Sequence, residues 1–259
     1  MKTYAQTNIQ LYGQLFQQNW ADADLRLVQA AYGLAMTVFA GHYRPNQKSF
    51  LAHLVGTASI LAAHGADATV VAAGLLHSAY SHGEFGDGSR GMTVAKRQTV
   101  RRAVGDPCES LIARYTAMRW KLPETVALAA GADQLSVLDR TVALVKLADV
   151  LEDHLERGMA YSPNKQLPGG TDADRAWREA FVGVATSLAH QPLAAELQIA
   201  LSPSAERPLP DFLLGDKPAS FVMAPISHCM RMTVRLGRFV RRWRTKFARL
   251  SKQIAERAA

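Results

Sequence analysis

The sequence has little of several features, and each scarcity excludes a class of protein. Only two cysteines occur among 259 residues, Cys108 and Cys229, and their separation matches no redox or metal-binding spacing. No run approaches the roughly 18 uninterrupted apolar residues of a membrane-spanning helix. The first twenty residues lack the basic-then-apolar order of a signal peptide. We therefore expect a cytoplasmic protein with ordinary thiols and no disulfide framework.

Alternating β-branched runs are also missing, which argues against a sheet. Apolar residues instead recur at helical spacing, and glycine or proline interrupts them at intervals that suit helix ends. The sequence predicts an all-α fold. The expected helices cover about 22–40, 49–64, 67–81, 93–104, 107–120, 123–132, 136–157, 172–190 and 192–200.

Two irregular segments divide this pattern. HGEFGDGSRGM has four glycines in eleven residues and predicts a disordered tip or a mobile flap after the third helix. SPSAERPLPDFLLGDKPAS predicts an extended connector. The expected organisation is a helical domain over 1–200, a Pro-rich connector over 201–224 and a basic amphipathic helix over 225–259.

Acidic residues are nearly absent from the last part of the chain. Residues 221–259 hold ten Lys or Arg and one acid, Glu256, which leaves twenty against twenty-one in residues 1–220. The net charge of +8 therefore comes from this tail. Its apolar residues fall three or four apart in one stripe, with Val240 beside it: Met232, Leu236, Phe239, Trp243, Phe247, Leu250 and Ile254.

Three interpretations of the tail remain open. Arginines and lysines around an apolar stripe are typical of a helix on an anionic membrane surface, which would put the protein at the inner face of the membrane. The same spacing suits a helix docked on its own body or paired in a homodimer. Nucleic-acid binding is the least favoured, because no recognised reading motif accompanies the charge.

Three polar residues lie inside apolar helical stretches, where a polar side chain needs a reason to be present. His53 is in AHLVGTASILAAHG, His77 in VVAAGLLHSAYSHG and Asp149 in VALVKLADVLEDHL. Antiparallel helices can bring one ligand each to a shared site, and imidazole and carboxylate suit Mn²⁺, Fe²⁺ or Zn²⁺. For any single histidine, a partly buried ring that is hydrogen-bonded to a carbonyl is the favoured interpretation.

The segment HYRPNQKSFLAHLVGTASILAAHGADATVVAAGLLHSAY resembles the opening of the guanosine-tetraphosphate hydrolase branch of the HD-domain superfamily. That branch has Tyr-Arg, an aromatic-x-x-His, an apolar helix and Leu-Leu-His-Asp. VALVKLADVL is similar to its closing Lys-Leu-Ala-Asp-x-Leu segment. The resemblance covers about residues 40–157. It implies an HD-like helical bundle and a metal-dependent phosphohydrolase acting on a nucleotide or another phosphate ester.

The resemblance also implies roles for matched positions. His53, His77 and Asp149 would be ligands of a divalent Mn, Fe or Zn ion. Arg44 would contact base or phosphate, and Tyr43 and Lys146 would line or brace the pocket. Either Arg44 or Lys146 would neutralise phosphate charge.

The sequence departs from the family pattern at four positions. Ser78 occupies the position of the aspartate in the His-Asp doublet. Its hydroxyl is a poor metal ligand, so we expect Ser78 to contact substrate. An expected acidic pair appears as Ser81 and His82, and an expected asparagine as Asp153. His82 is then the candidate general acid or base, beside Lys146. The His-Ser doublet is also similar to uncharacterised HD-like proteins that keep the histidine and replace the aspartate.

Three functions therefore stand beside one another. The first is a divalent-metal phosphohydrolase whose partner is a phosphate-containing small molecule. The second is a degenerate HD fold that binds a ligand without turnover, because Ser78, Ser81 and Asp153 stand where catalytic groups are expected. The third is a membrane-surface or oligomeric scaffold, for which the tail suggests a role in envelope or polysaccharide assembly.

Overall fold

The computed structural model describes residues 2–163, 172–202 and 209–223, together with 236, 237, 239, 240 and 243. The described chain is predominantly helical, which confirms the all-α prediction. Two compact units are present, Met1–Val222 and Met223–Ala259. None of the helices in the described ranges is long and apolar enough to span a bilayer.

The first unit contains ten α-helices among its described residues. Most agree closely with the periodicity, and the predicted break after 104 is a kink at Gly105, whose φ is 80°. The helices are α1 (Asn8–Gln17), α2 (Asp22–Phe39), α3 (Phe50–Ala63), α4 (Ala68–Leu76), α5 (Ala79–His82), α6 (Val94–Ala117), α7 (Leu122–Ala130), α8 (Val137–His154), α9 (Asp172–Ser187) and α10 (Gln191–Ala200).

Side-chain caps fix where the central helices begin. Ser49 accepts a hydrogen bond from the amide of Ala52 at the start of α3, and Asp67 accepts one from Val70 at the start of α4. Each such cap contributes about 1 kcal/mol to helix stability. Ser136 does the same for α8. The three helices that later supply the candidate site are therefore started by local signals.

Helices α3 and α4 form the middle of the core. Both are apolar or small on nearly every face, and most of their residues are buried, as expected for helices surrounded by others. Helix α3 packs on α4, α8 and α1, and α4 also packs on α2 and α6. Gly74 allows close approach, since a Cβ there would lie 2.6 Å from Leu61 Cδ1. This brings the end of α4 close to α3.

Two features differ from the sequence interpretation. Helix α1 was not predicted; it begins at a capping box in which Thr7 and Gln10 satisfy each other's backbone amides. A short antiparallel ribbon joins β1 (His42–Tyr43) to β2 (Phe221–Val222). The connector predicted over 201–224 is thus partly paired with the helical body.

The glycine-rich segment has irregular backbone, as its composition predicts. It is anchored by Lys96, which is 2% exposed. The Lys96 ammonium donates to the carbonyls of Ser89 at 2.9 Å and Gly91 at 3.1 Å. It also lies 5.4 Å from the ring centroid of Phe85. The segment is therefore held by a buried cation as well as by the packing of Phe85 on the core.

Candidate metal centre

His53, His77 and Asp149 form one buried cluster. His53 comes from the first turn of α3, His77 directly follows α4, and Asp149 lies on α8. Asp149 Oδ1 is 3.1 Å from His53 Nε2 and 3.3 Å from His77 Nε2. The candidate ligand atoms of the three residues lie within 4.8 Å of one another. The cluster can therefore hold a metal ion.

The other ring nitrogen of each histidine is already committed. His77 Nδ1 lies 2.8 Å from the carbonyl oxygen of Gly74, which can only accept. His53 Nδ1 lies 2.5 Å from Glu152 Oε2. Both Nδ1 atoms must then carry the proton, so each neutral ring presents an Nε2 lone pair to the cluster. This orientation of imidazole by a carboxylate or carbonyl is typical of metal-ligating histidines.

A second observation supports the same interpretation. Among the described residues, His53 Nε2 is a buried polar atom with no hydrogen-bond partner. A buried nitrogen left without a partner costs roughly 1–3 kcal/mol. Two nitrogen lone pairs and a carboxylate oxygen that converge also repel one another. A cation between them would remove both penalties, so the donor set fits a metal.

The spacing of the donors fits as well. Donors about 2.1 Å from a divalent metal lie about 3.0 to 3.4 Å apart, between right-angle and tetrahedral arrangements. The two distances to Asp149 Oδ1, 3.1 and 3.3 Å, fall in this range. Three protein ligands also leave coordination positions for water or substrate, as catalytic sites require.

The second oxygen of Asp149 is held by other partners. Lys146 Nζ donates to Oδ2 at 2.7 Å and the Tyr115 hydroxyl at 2.6 Å. Burial alone would raise the pKa of Asp149, but the charge of Lys146 holds it well below its usual range. Burial beside Asp149 raises the pKa of Tyr115. Asp149 is therefore an anion whose Oδ1 alone faces the two histidines.

Glu152 and Asp153 extend the cluster on α8. Lys48 donates to Glu152 Oε1, and Arg44 Nη2 lies 2.6 Å from both oxygens of Asp153. Burial and Arg44 act to lower the pKa of His53, yet Glu152 and Asp153 raise it on balance. The surroundings of His53 thus favour an added positive charge.

The residues predicted to meet substrate differ in how they relate to this cluster. Lys146 reaches it directly, whereas Arg44 is paired with Asp153. Tyr43 stacks on Phe221 of the ribbon, with ring centroids 5.6 Å apart. Ser78 is largely buried beside His77, and its side chain does not cap α5.

His82 lies at the rim, with its ring 5.3 Å from that of Phe50. Although it still contacts solvent, surrounding protein atoms and the charge of Arg44 lower its pKa to about 4. It also lines a cleft of about 470 Å³ with His42, Arg90, Lys96 and Phe221. This cleft lies between the glycine-rich segment and the ribbon.

Sequence reasoning missed three members of the site. Glu152 could have been found, because it follows Asp149 by three residues on the same helix face. Lys48 and Tyr115 carried no such signal. Each meets its partner across a long sequence separation, 104 residues for Lys48 and Glu152 and 34 for Tyr115 and Asp149.

Comparison with known proteins gives a partial match. No protein with a curated description matches the chain. Over residues 34–119, the chain is similar to a family described only as a domain of unknown function (DUF6817), a range that contains His53, His77 and Tyr115 but not Asp149.

Proposed function

We propose that this chain binds one divalent metal ion at His53, His77 and Asp149 and is a phosphohydrolase of the HD type. The ion would be Mn, Fe or Zn, which suit two imidazoles and a carboxylate. The observation that carries the proposal is the convergence of both Nε2 atoms on Asp149 Oδ1. The HD-like arrangement and the phosphate ester are supported by the resemblance of 40–157.

The charges around the site support an anionic substrate. Three carboxylates, on Asp149, Glu152 and Asp153, are matched by three cations: Lys146, Lys48 and Arg44. A divalent ion would leave the cluster with an excess of about two positive charges, which suits a phosphate dianion. Lys146 and Arg44 are 18% and 16% exposed in their side chains, so both reach solvent at the mouth.

Within this proposal, each residue has a definite task. When bound, the metal would polarise a phosphoryl oxygen and acidify a water. Glu152 keeps the proton of His53 on Nδ1, and Gly74 O does so for His77. Lys146 neutralises charge that develops on the phosphoryl group. His82 lies at the rim and is neutral near pH 7, where it can hydrogen-bond a water.

The cleft beside His82 suits the remainder of the substrate. Its volume of about 470 Å³ is in the range of small-molecule sites. Residues of the glycine-rich segment, among them Arg90, and residues of the ribbon line its walls. A nucleoside or sugar attached to the phosphate would fit a cleft of this size.

The test is the metal content of the full chain, purified without chelator and measured by elemental analysis. We expect stoichiometric metal in the wild type and its loss in His77→Ala. His154→Ala is the matched control, because His154 Nδ1 also bonds a carbonyl one turn earlier, that of Val150 at 2.7 Å. Absence of metal from the wild type, or equal loss in both variants, would contradict the proposal.

Activity is tested separately with the metal-loaded chain and a panel of nucleotides and simple phosphate monoesters. Release of inorganic phosphate that disappears in His77→Ala is the expected result. One observation favours a second function, a binding module without turnover: Asp153, which stands where the family has asparagine, is committed to an ion pair with Arg44. Tight nucleotide binding without phosphate release would establish that alternative.

A further inference from the structure

The second unit presents apolar side chains to solvent on helical backbone. Residues 236, 237, 239, 240 and 243 all have helical backbone. Leu236 is 64% exposed, Phe239 57%, Val240 47% and Trp243 48%. The rings of Phe239 and Trp243 lie 5.9 Å apart. Four large apolar residues within eight positions is far more than scattered surface exposure produces.

These four side chains occupy one face. At about 100° per residue, positions 236, 239, 240 and 243 fall within an arc of about 100°. The positions predicted to continue the stripe, Met232, Phe247, Leu250 and Ile254, lie outside the described residues. On the same helical projection they fall in the same arc. An arc of this width is typical of the apolar stripe of an amphipathic helix.

The charge of the segment selects what covers this face. Residues 221–259 contain ten Lys or Arg and a single acid. A second copy of this helix would bring ten like charges toward the first ten. An anionic bilayer offers apolar depth and opposite charge together, with about 1 kcal/mol from each Lys or Arg near the surface. Phe and Trp on one face with Arg on the other is the composition of interfacial helices.

We propose that residues 231–254 bind an anionic phospholipid surface, with Leu236, Phe239 and Trp243 inserted at the level of the headgroups. The helix would lie in the plane of the interface, since it is too charged to span the bilayer. This inference is independent of the metal site. It concerns where the protein acts and not which reaction it performs.

The experiment is vesicle flotation of the full chain at physiological salt. Vesicles of phosphatidylcholine with 30% phosphatidylglycerol are compared with pure phosphatidylcholine. We expect binding to the anionic vesicles to be at least tenfold tighter and to weaken as salt is raised. Equal binding to both vesicles, or binding to neither, would overturn the proposal.

A pair of substitutions, with a matched control pair, tests the contribution of the apolar face to vesicle binding. Phe239→Glu with Trp243→Glu should reduce binding at least tenfold. Ile9→Glu with Phe16→Glu is the matched control, because these residues of the first unit are 76% and 73% exposed. An equal loss in the control pair would place the membrane contact elsewhere and overturn the assignment to the tail.

A charge variant tests the electrostatic part. Arg241, Arg242 and Arg244 are changed to Gln, and the control changes three exposed cations of the first unit, Arg26, Arg102 and Lys121. Only the tail variant should lose the preference for phosphatidylglycerol. Binding to duplex DNA but not to vesicles, or a change only in oligomeric state, would refute the lipid assignment. Metal content measured on the same tail variants should stay at the wild-type value. Failure of the lipid-binding proposal is therefore distinguishable from failure of the metal proposal.

Discussion

Glu152→Gln is the sharpest probe of the candidate metal centre, because it leaves all three proposed ligands in place. Glu152 is fully buried and its Oε2 lies 2.5 Å from His53 Nδ1. The substitution keeps the size of the side chain and removes its charge. The amide can still accept the Nδ1 proton, but a neutral acceptor makes the imidazole a weaker donor to a metal.

The expected effect follows from the behaviour of such supporting carboxylates. Their loss lowers metal affinity by about 10- to 100-fold, or about 1.4 to 2.7 kcal/mol. We expect the lower end, since the amide oxygen preserves one hydrogen bond. Lys48, whose side chain is 28% exposed, can turn to solvent. The stability of the metal-free chain should therefore change by only about 1 kcal/mol.

The assay is competition for Zn²⁺ or Co²⁺ against a chelator of known affinity, with thermal unfolding measured in parallel. Glu196→Gln is the control, because Glu196 also contacts a lysine and a histidine, Lys2 at 3.1 Å and His64 at 3.5 Å. It should leave metal affinity unchanged. If Glu152→Gln binds metal within twofold of the wild type, the inference that Glu152 orients His53 toward a metal is refuted.

Two further predictions concern the same cluster. Lys146→Met leaves Asp149 buried without its cation and should cost about 3 to 5 kcal/mol in chelator-treated protein. Burial then raises the folded pKa of Asp149, which Lys146 now holds well below its usual range. The stability that ionised Asp149 contributes is present above its unfolded pKa of about 3.9 and is lost as the pH falls through its folded pKa. A higher folded pKa makes this contribution smaller, so the midpoint of acid unfolding should move to higher pH. An unchanged midpoint would contradict this. Gly56→Ala should weaken both metal binding and stability, the latter by about 1 to 3 kcal/mol, because its Cβ would lie 2.6 Å from Glu152 Cγ. Gly33→Ala, which meets nothing within 4 Å, should instead stabilise by up to about 1 kcal/mol, and a loss of metal affinity in that variant would refute the explanation.

The helices could be predicted because their signals are local. Apolar spacing and caps such as Ser49 and Asp67 lie within a few residues of the helix that they start. Helix α1 was not predicted because only Leu11 and Leu15 are buried along it, and two residues are too few to show a helical period. The ribbon was not predicted because each strand has only two residues and the two strands lie far apart in the sequence.

The metal-ligand candidates were visible for a different reason. A histidine or an aspartate inside an apolar helix is conspicuous without any structure, whereas Lys48 and Tyr115 lie where polar residues are ordinary. Their partners are chosen by the packing of α3, α6 and α8, which no local pattern specifies. Tertiary contacts decide which residues support the ligands, and these contacts could not be predicted from sequence spacing alone.

The proposed metal ligands and the proposed substrate cleft come from different parts of the fold. The proposed ligands and Glu152 come from α3, the end of α4 and α8, which are buried and whose packing fixes the cluster. The cleft beside His82 is walled instead by the glycine-rich segment and the ribbon, and loops of this kind vary in proteins without disturbing a core. The packing of α3, α4 and α8 therefore bears on the proposed metal, whereas these loops bear on the proposed substrate. The identity of a substrate then depends on the cleft, whose walls are these loops.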